Sequence, residues 1–341
     1  MLPNKRRFPR WKIYSLLLCT GIGCAGIGCA GIGTVAIGRK QVAYSLNTSA
    51  QAPSQTPSAQ APLTQTSPEG EPLTAMDNHQ PLNAHQRFQV AGAVVHVVEV
   101  PAAMSLSVAV SDDLTPVAQL AQRENAVYAI NAGFFDPQNG QTTSHLTLQG
   151  QVVGDPASNE RLVGNPALSE YLEQIFNRSE FRAYRCDVSE SLSYDIAPHR
   201  LPTPQGCVME SAVGAGPVLL PEDGAFAEAF TDYANDDPEN GDLIRDAIGS
   251  MQRNARSAIG IAGDQMVLIM VEKNADSVGM TLAELAEFAR SQNIQKLLNL
   301  DGGSSSSLYV NEGDESAIYF GRSDEAGNPV ERAVKSVIIV K

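Results

Sequence analysis

Basic residues are scarce in this sequence of 341 residues, which has 24 Lys and Arg against 38 Asp and Glu and a formal net charge of −14. Seven of the basic residues lie within the first 40 positions, where no acidic residue occurs, so the rest of the chain is more acidic than the total suggests. Nucleic-acid phosphates are bound by clustered Lys and Arg. The shortage of bases therefore argues against a nucleic-acid partner.

Cysteine and histidine are also few. Cys19, Cys24 and Cys29 lie in one apolar segment, which leaves only Cys186 and Cys207 for the body of the chain. There is no CxxC pair, and the five histidines show no H-x-x-x-H or other ligand spacing, so neither a metal site nor a cofactor is predicted. If the body is exported to an oxidising compartment, Cys186 and Cys207 are candidates for one disulfide.

The motifs of serine hydrolases are missing as well. The sequence contains no G-x-S-x-G, and the run DGGSSSS at 301–307 is not the GDSGG of trypsin-like proteases. Without either motif, a serine nucleophile is not expected.

One long hydrophobic run is present, at residues 13–37, where 25 uncharged residues follow KRRFPRWK and precede RK. Its length is sufficient to span a bilayer as a helix, and the basic flank predicts that the N-terminus stays in the cytoplasm. A cleaved signal peptide and a buried soluble helix are the alternatives. The expected location of the remaining chain is outside the cytoplasm, either membrane-anchored or secreted after cleavage.

The composition divides the chain into three parts. Residues 1–40 hold the basic flank and the transmembrane anchor or signal, and residues 41–86 are rich in Ala, Gln, Ser, Thr and Pro. A stretch of that composition buries too little apolar surface to offset its ordering entropy, so a flexible linker is predicted. Residues 87–341 are expected to form one folded domain.

Hydrophobic patterns in this domain predict more strands than helices. FQVAGAVVHVVEV and MSLSVAV are typical of adjacent strands, and RSAIGIAG and QMVLIMVE are expected to pair through a Gly-Asp hairpin turn. Helices are predicted at TPVAQLAQREN, LSEYLEQIFN and TLAELAEFARSQNI, the last with the capping-box pattern of Thr281 and Glu284. That helix joins QMVLIMVE to KLLNL, an order that suggests locally parallel pairing. The predicted fold class is α/β (α+β), a single domain with a mixed twisted sheet flanked by helices.

Three motifs share one form, a short apolar strand that ends in a glycine-containing turn. They are AINAGFFD at 129–136, AVGAGPVLL at 212–220 and NLDGGSSSSLYV at 299–310. Ligands tend to bind at the carboxyl ends of strands, and glycines there allow backbone N–H groups to approach an anion closely. Each motif alone is also explained by the steric needs of a tight turn.

Together with RNARSAIG at 253–260, these motifs resemble the phosphodiester glycosidase domain family, over roughly residues 88–341. The resemblance implies a hydrolase that releases a sugar from a phosphodiester-linked glycoside, with no cofactor. Its substrate would be a phosphodiester-linked carbohydrate on envelope or exported glycans. The implied catalytic residues are Asp301, Asp136 and Arg256. The implied substrate-binding residues are Asn131, Gly133, Gly216, Arg253, Gly302, Gly303, Ser304 and Ser305.

The chemistry of such a substrate fits these residue types. Arg256 is the expected partner of the phosphodiester charge, with Arg253 as a second possibility, because guanidinium groups match phosphate oxygens bidentately. One carboxylate can attack or stabilise the anomeric carbon while the other activates water. The alternatives are structural: Asp301 and Asp136 as turn caps, Arg256 in a surface ion pair, and Asn131 as a support of the backbone turn.

Two other functions remain open at this stage. One is a non-catalytic module that binds anionic glycans through the same glycine turns, and the other is a metal-dependent phosphodiesterase that cuts the P–O bond. Release of free sugar excludes the non-catalytic module. An oxygen-18 label from water enters the sugar in a glycosidase and the phosphate in a phosphodiesterase. His145, which follows the first motif, is expected either to line the pocket or to lie in the core.

Overall fold

The computed structural model describes residues 84–187, 189, 191–313 and 315–341. The predicted anchor or signal and residues 41–83 of the predicted linker lie outside the described residues. The last linker residues, 84–86, are described, and His85 and Gln86 belong to the first strand. Within the described residues, no helix combines the length and the hydrophobicity needed to cross a membrane.

Strands dominate the described residues. They are β1 (His85–Val90), β2 (Ala93–Glu99), β3 (Leu106–Thr115), β4 (Tyr128–Asn131), β5 (Leu146–Leu148), β6 (Gln151–Gly154), β7 (Ser179–Cys186), β8 (Leu192–Pro198), β9 (Cys207–Gly214), β10 (Val218–Leu220), β11 (Thr231–Tyr233), β12 (Leu243–Asp246), β13 (Arg256–Ala262), β14 (Gln265–Val271), β15 (Lys273–Asn274), β16 (Ser277–Val278), β17 (Lys296–Asn299), β18 (Ser307–Glu312), β19 (Glu315–Phe320) and β20 (Val334–Val340).

Helices are few and short. The α-helices are α1 (Val117–Arg123), α2 (Glu160–Val163), α3 (Leu172–Ile175) and α4 (Leu282–Ser291), and single 3₁₀ turns span Pro156–Ser158, Pro166–Leu168, Ala234–Asp236 and Gly303–Ser305. The helix expected at LSEYLEQIFN is therefore reduced to one turn, α3.

Three larger sheets make up the domain, in the strand orders β1-β2-β14-β13-β17-β10, β19-β18-β4-β20-β3 and β6-β5-β9-β7-β8. Every ladder between these strands is antiparallel. The single domain and the excess of strands over helices agree with the sequence. The α/β (α+β) class with one mixed sheet flanked by helices is wrong, because the described residues form three larger antiparallel sheets with few helices. β14 and β17 do run in the same direction, yet β13 lies between them and pairs antiparallel with both.

The hairpins follow the sequence closely. β13 and β14 pair from Arg256↔Val271 to Ala262↔Gln265, which leaves Gly263 and Asp264 as the predicted turn. The predicted neighbours FQVAGAVVHVVEV and MSLSVAV, in contrast, do not pair. The first contains a whole hairpin, β1 and β2, whereas the second forms β3 of another sheet, beside β20.

The core has three parts. The largest lies among the three sheets and contains Ile130, Phe181, Val213, Leu268 and Leu298. A second part fills the space under α4, whose Thr281 and Glu284 form the predicted capping box, and a third lies under α1. With so much apolar surface packed on both faces of the sheets, the strand ends are held in fixed positions relative to one another.

Candidate active site

Asp301 lies two residues after the end of β17, where the third motif leaves the core. Its main chain is joined to the first motif in both directions. The Asp301 amide donates to the carbonyl of Ala132 at 2.9 Å, and the Asp301 carbonyl accepts from the side chain of Asn131. The ends of β4 and β17, which belong to different sheets, are therefore fixed against each other.

The second motif joins the same place through Gly216. Its amide donates to the main-chain carbonyl of Asn299 at 2.8 Å, and its carbonyl accepts from Asn299 Nδ2 at 2.8 Å. The three glycine motifs are thus joined by hydrogen bonds at the end of β17. Beside this junction lies a cavity of about 170 Å³, which residues of the first and third motifs line and those of the second motif do not. It is lined by Phe134, Ile248, Asn254, Arg256, Asn299, Leu300, Asp301, Gly302 and Gly303.

Asp301 is the one carboxylate among the residues that line this cavity. Burial raises the pKa of Asp301 to about 6, although the Ser305 hydroxyl, the Gly302 amide and the charge of Arg332 all act to lower it. The residue as a whole is half-buried. A carboxyl group with a raised pKa in a concave site is suited to proton transfer near neutral pH.

Asn131 does not line the cavity but supports the site from inside the core. Its side chain is fully buried, and it accepts hydrogen bonds from Ser257 Oγ at 2.7 Å and the Ser307 amide at 3.1 Å in addition to its donation to Asp301. The predicted contact with sugar or phosphate is therefore corrected. Asn131 stabilises the backbone turns, which was the structural alternative.

Arg256 borders the cavity, but its guanidinium holds a loop. Nε donates to the carbonyl of Met280, Nη1 to Ile248, and Nη2 to both Gly249 and Gln252, over distances of 2.6 to 3.2 Å. Only 2% of the residue is exposed. Burial also lowers the pKa of Arg256 to about 10. The prediction of Arg256 as the principal phosphate ligand is corrected, since four of its five N–H groups are occupied by main-chain carbonyls.

Arg253 lies at a different surface. It forms an ion pair with Glu284 of α4, and Nη1 donates to the carbonyl of Ala91 at 3.4 Å. It lines a groove beside α4 and β1 rather than the Asp301 cavity. Its predicted role in substrate binding is therefore corrected.

Asp136 is also outside the cavity. Its carboxylate pairs with Arg161 Nε at 2.6 Å and accepts from the Gln138 amide at 2.8 Å, so it caps a surface turn. Although desolvation acts in the other direction, these contacts lower the pKa of Asp136. Asp136 was predicted as the second catalytic carboxylate, but in the structure it stabilises a surface turn.

The glycine amides are mostly engaged within the protein. Gly133 donates to Ser336 Oγ at 3.1 Å, and Gly303 donates to the carbonyl of Ala255 at 2.9 Å. An anion-binding nest of free amides is therefore not formed by these glycines. Their small size serves close packing, because a Cβ on Gly133 would lie 2.9 Å from the Gly214 carbonyl oxygen.

The serine run divides in two. Ser304 is half-buried, whereas Ser305 is buried and its hydroxyl donates to the Asp301 carboxylate, so Ser305 positions the acid. The Oγ atoms of Ser306 and Ser307 are buried and have no hydrogen-bond partner among the described residues.

Sequence reasoning did not single out Asn299, which borders the cavity two residues before Asp301. Only 2% of Asn299 is exposed, and its Oδ1 atom has no hydrogen-bond partner within the described part of the chain. A buried amide oxygen at a cavity wall is suited to accept a hydrogen bond from a ligand hydroxyl. The signal was present in the motif, where Asn precedes Leu and Asp at the end of the strand.

Arg332 is a second residue that sequence reasoning missed. Its positive charge acts on the pKa of Asp301, and its guanidinium carbon lies 5.7 Å from the ring centre of Phe135 in the first motif. No carboxylate lies within ion-pair distance of Arg332 among the described residues. Arg332 is therefore a cation whose charge acts on Asp301 and whose guanidinium is not held by a carboxylate of the described residues.

His145 is part of a separate network. Its ring stacks on His199 with centres 3.5 Å apart, and Nε2 lies 3.2 Å from the carbonyl oxygen of Phe176. Burial lowers the pKa of His145, with a further contribution from His199. It does not line the Asp301 cavity, so the core alternative describes it better. No group of metal-binding side chains is found among the residues described by the structure.

Comparison with known proteins gives the family. A family model described as Phosphodiester glycosidase matches residues 124–341, which is more than half of the chain and includes all three motifs. The chain belongs to the phosphodiester glycosidase family. Comparison with curated protein sequences gives no match.

Solved structures with a similar fold come from bacteria and a vertebrate. A protein of Burkholderia pseudomallei described as exported has a TM-score of 0.50 at 15% identity, covering 73% of this chain and 74% of that one. The zebrafish N-acetylglucosamine-1-phosphodiester alpha-N-acetylglucosaminidase catalytic domain, auto-inhibited by its pro-peptide, gives 0.49 at 16% identity, with 75% and 81% covered. A hypothetical protein from Synechocystis gives 0.46 at 16% identity, with 75% of this chain covered, and this chain spans 61% of its length. At these identities the Burkholderia structure supports the fold alone.

Proposed function

We propose that this member of the phosphodiester glycosidase family hydrolyses a sugar-1-phosphodiester and that Asp301 is its catalytic carboxylate. The observation that carries the proposal is the position of Asp301, with a pKa of about 6, at a cavity lined by the first and third motifs. The zebrafish domain acts on an N-acetylglucosamine-1-phosphodiester according to its name. The sugar used by this chain follows from the cavity wall rather than from that name.

In this mechanism Asp301 acts as the general base. The carboxylate takes a proton from a water molecule as the water oxygen bonds to the anomeric carbon, and the bond from that carbon to the phosphate oxygen breaks. The phosphate leaves as a monoester with the electron pair of the broken bond. Because such a leaving group is already stable as an anion, a second carboxylate acting as acid is not required. The expected stereochemical outcome is inversion, because water attacks the anomeric carbon directly.

Two further residues have roles in the proposal. Arg332 balances the charge of the phosphodiester next to Asp301, and Asn299 Oδ1 accepts a hydrogen bond from a sugar hydroxyl. Ser305 positions Asp301 through its side chain, and Asn131 positions it through its main chain. In this proposal the groups that stabilise the phosphate charge and orient the sugar are already held in place by the fold, as is usual in enzymes.

The test compares residues 84–341 with the Asp301→Asn variant on a panel of sugar-1-phosphodiesters in water labelled with oxygen-18. We expect free sugar that carries the label, and loss of about 10²- to 10⁴-fold in turnover in the variant. Label in the phosphate would instead support a metal-dependent phosphodiesterase. Binding without release of sugar would support a non-catalytic glycan-binding module.

Export of the domain is also part of the proposal. Cys186 and Cys207 form a disulfide, which is typical of proteins in oxidising compartments. Together with the apolar segment at 13–37, it supports a domain at residues 87–341 outside the cytoplasm, anchored to the membrane or secreted, that acts on envelope or exported glycans. Fractionation of cells that produce the full chain, with protease accessibility of the domain, tests this location.

A further inference from the structure

Two arginines meet at one main-chain carbonyl outside the Asp301 cavity. Arg178 Nη2 donates to the carbonyl of Ala229 at 3.1 Å, and Arg245 Nη1 donates to the same oxygen. Arg178 Nε also donates to the carbonyl of Glu228 at 3.0 Å. Two like charges held together in an acidic protein are unfavourable unless an anion or another group compensates them.

Aromatic rings hold both guanidinium groups in place. The Cζ atom of Arg178 lies 3.7 Å from the ring centre of Phe230, and that of Arg245 lies 4.6 Å from the ring centre of Tyr171. Stacked guanidinium groups present their N–H edges at fixed angles, which is the geometry that phosphate oxygens match. Arg178 and Arg245 are therefore preorganised for an oxyanion.

The donors of these arginines are only partly used by the protein. Among the described residues, three of the five N–H groups of Arg178 and four of those of Arg245 have no protein acceptor. No carboxylate in the described part of the chain lies within ion-pair distance of either side chain. Burial, together with the charge of Arg245, lowers the pKa of Arg178 to about 9, although nearby Glu228 acts to raise it.

Three acids lie nearby. Glu170 is an exposed neighbour of Tyr171, and the other two have partners of their own. Glu228 accepts from Ser179 Oγ at 2.7 Å, and also from the amides of Ser179 and Val218. Asp232 accepts from the Tyr171 hydroxyl at 2.6 Å and from an adjacent amide. The carboxylate oxygens are thus directed to neutral donors rather than to the arginines.

The arginine pair is next to the candidate active site but separate from it. The ring of Phe230 contacts that of Phe134, with centres 5.6 Å apart, and Phe134 lines the Asp301 cavity. Neither arginine lines that cavity. An anion held by the pair therefore lies one layer of aromatic side chains away from the bond that is cut.

We infer that Arg178 and Arg245 form a second anion-binding site, which takes a phosphate group of the substrate other than the scissile one. The inference rests on the proposed function. It narrows the substrate to a glycan or glycoconjugate with more than one phosphate, such as a repeating sugar-phosphate chain. A substrate with a single phosphodiester reaches Asp301 and Arg332 but leaves the second site without a ligand.

The first experiment measures binding without catalysis. Inorganic phosphate is titrated by calorimetry into the wild-type domain, the double variant R178Q/R245Q and the control Arg200→Gln, which removes an exposed arginine paired with Glu173. We expect the double variant to lose roughly tenfold or more in affinity for one phosphate site, while the control binds like the wild type. Equal affinity in the wild type and the double variant would overturn the inference.

A second measurement guards against a loss of folding in the double variant. In the wild-type domain, phosphate should shift the Nε–H NMR signals of Arg178 and Arg245, which are assigned with the single variants R178K and R245K. Unchanged signals at phosphate concentrations that saturate the calorimetric site would also overturn the inference.

The third arm uses substrates and separates the two proposals. R178Q/R245Q should raise KM for a substrate with two phosphates by roughly tenfold and leave kcat/KM for the corresponding single phosphodiester unchanged. An equal loss of kcat/KM on both substrates would place the arginines in the Asp301 site and contradict a second anion-binding site. If Asp301→Asn keeps full turnover while phosphate still binds the pair, the proposed function fails and the anion site stands.

Discussion

The side chain of Asn131 donates a hydrogen bond to the main-chain carbonyl of Asp301 and thereby joins the first glycine motif to the third. The two residues are 170 positions apart in the sequence; Asn131 ends β4, and Asp301 follows β17 of a different sheet. Because Asn131 is fully buried, the position of Asp301 depends on the packing of the core. The candidate active site is therefore built on rigid strand ends rather than on a free loop.

The raised pKa of Asp301 predicts that the charged carboxylate destabilises the fold. The folded-state pKa of about 6 exceeds the ordinary value of 3.8, so the contribution of this group to stability falls as pH rises between those values. We expect Asp301→Asn to increase the free energy of unfolding by up to about 2 kcal/mol at pH 8 and to have little effect below about pH 4. Urea unfolding at both pH values measures the difference.

Asp136→Asn is the matched control for this experiment. The pKa of Asp136 is lowered, so its charged form is favoured in the folded state and its contribution to stability is present above the ordinary pKa. The control should therefore be destabilised, or unchanged, at pH 8. A loss of stability at pH 8 in Asp301→Asn as well would contradict the burial of a disfavoured charge.

The pH dependence of turnover distinguishes a base from an acid. If Asp301 acts as the general base, its deprotonated form is active, and kcat/KM should rise with pH through about 6 and level off above it. Initial rates measured from pH 4 to pH 9 with a fixed substrate give the profile. A fall in kcat/KM above pH 6 would instead assign Asp301 as a general acid.

Local patterns in the sequence predicted much of the fold. The Gly263-Asp264 hairpin and the capping box of Thr281 and Glu284 depend on neighbouring residues, and both were confirmed. Sheet pairing was less predictable, because β13 enters between β14 and β17 and only long-range packing decides this.

For the site, the sequence singled out the glycine motifs but not the partner of each charged side chain. Asp301, Gly302 and Gly303 line one cavity, which Gly216 does not reach, and their roles in binding and catalysis stay predictions. Arg256 and Asp136 instead found partners inside the protein, at Met280 and Arg161 among others, and a single sequence does not reveal such pairing. Arg332 was missed because it follows no glycine turn and is close to Asp301 only in the folded chain.

Replacement of Arg256 is expected to lower the stability of the fold more than the affinity for substrate. Its guanidinium satisfies the carbonyls of Ile248, Gly249, Gln252 and Met280, so Arg256→Ala leaves buried acceptors without donors. We expect a loss of about 2 to 4 kcal/mol in the free energy of unfolding. Urea unfolding measures it, and limited proteolysis should show earlier cleavage in residues 246–252.

Arg253→Ala provides the comparison for Arg256, because its ion pair with Glu284 lies at the surface. Its loss should cost less than about 1 kcal/mol. If Arg256→Ala unfolds like Arg253→Ala but loses substrate affinity, Arg256 binds substrate after all, and the structural role given to it here is wrong.

Gly216 connects the second motif to the site, and its replacement tests how tightly this connection is packed. Its φ angle is +120°, and a Cβ at this position would lie 2.4 Å from Glu228 Oε2 and 2.7 Å from Phe230 Cε2. Gly263 offers a matched control, with a φ angle of +61° and no atom within 4 Å of an added Cβ. Gly263→Ala should cost about 1 kcal/mol of backbone strain, whereas Gly216→Ala adds a steric clash and should cost about 3 kcal/mol or more.

Since Gly216 also forms hydrogen bonds with Asn299, the Gly216 variant should lose turnover beyond what its lower stability explains. Equal melting temperatures for the two variants would show that the second motif is not packed against Glu228 and Phe230 as described.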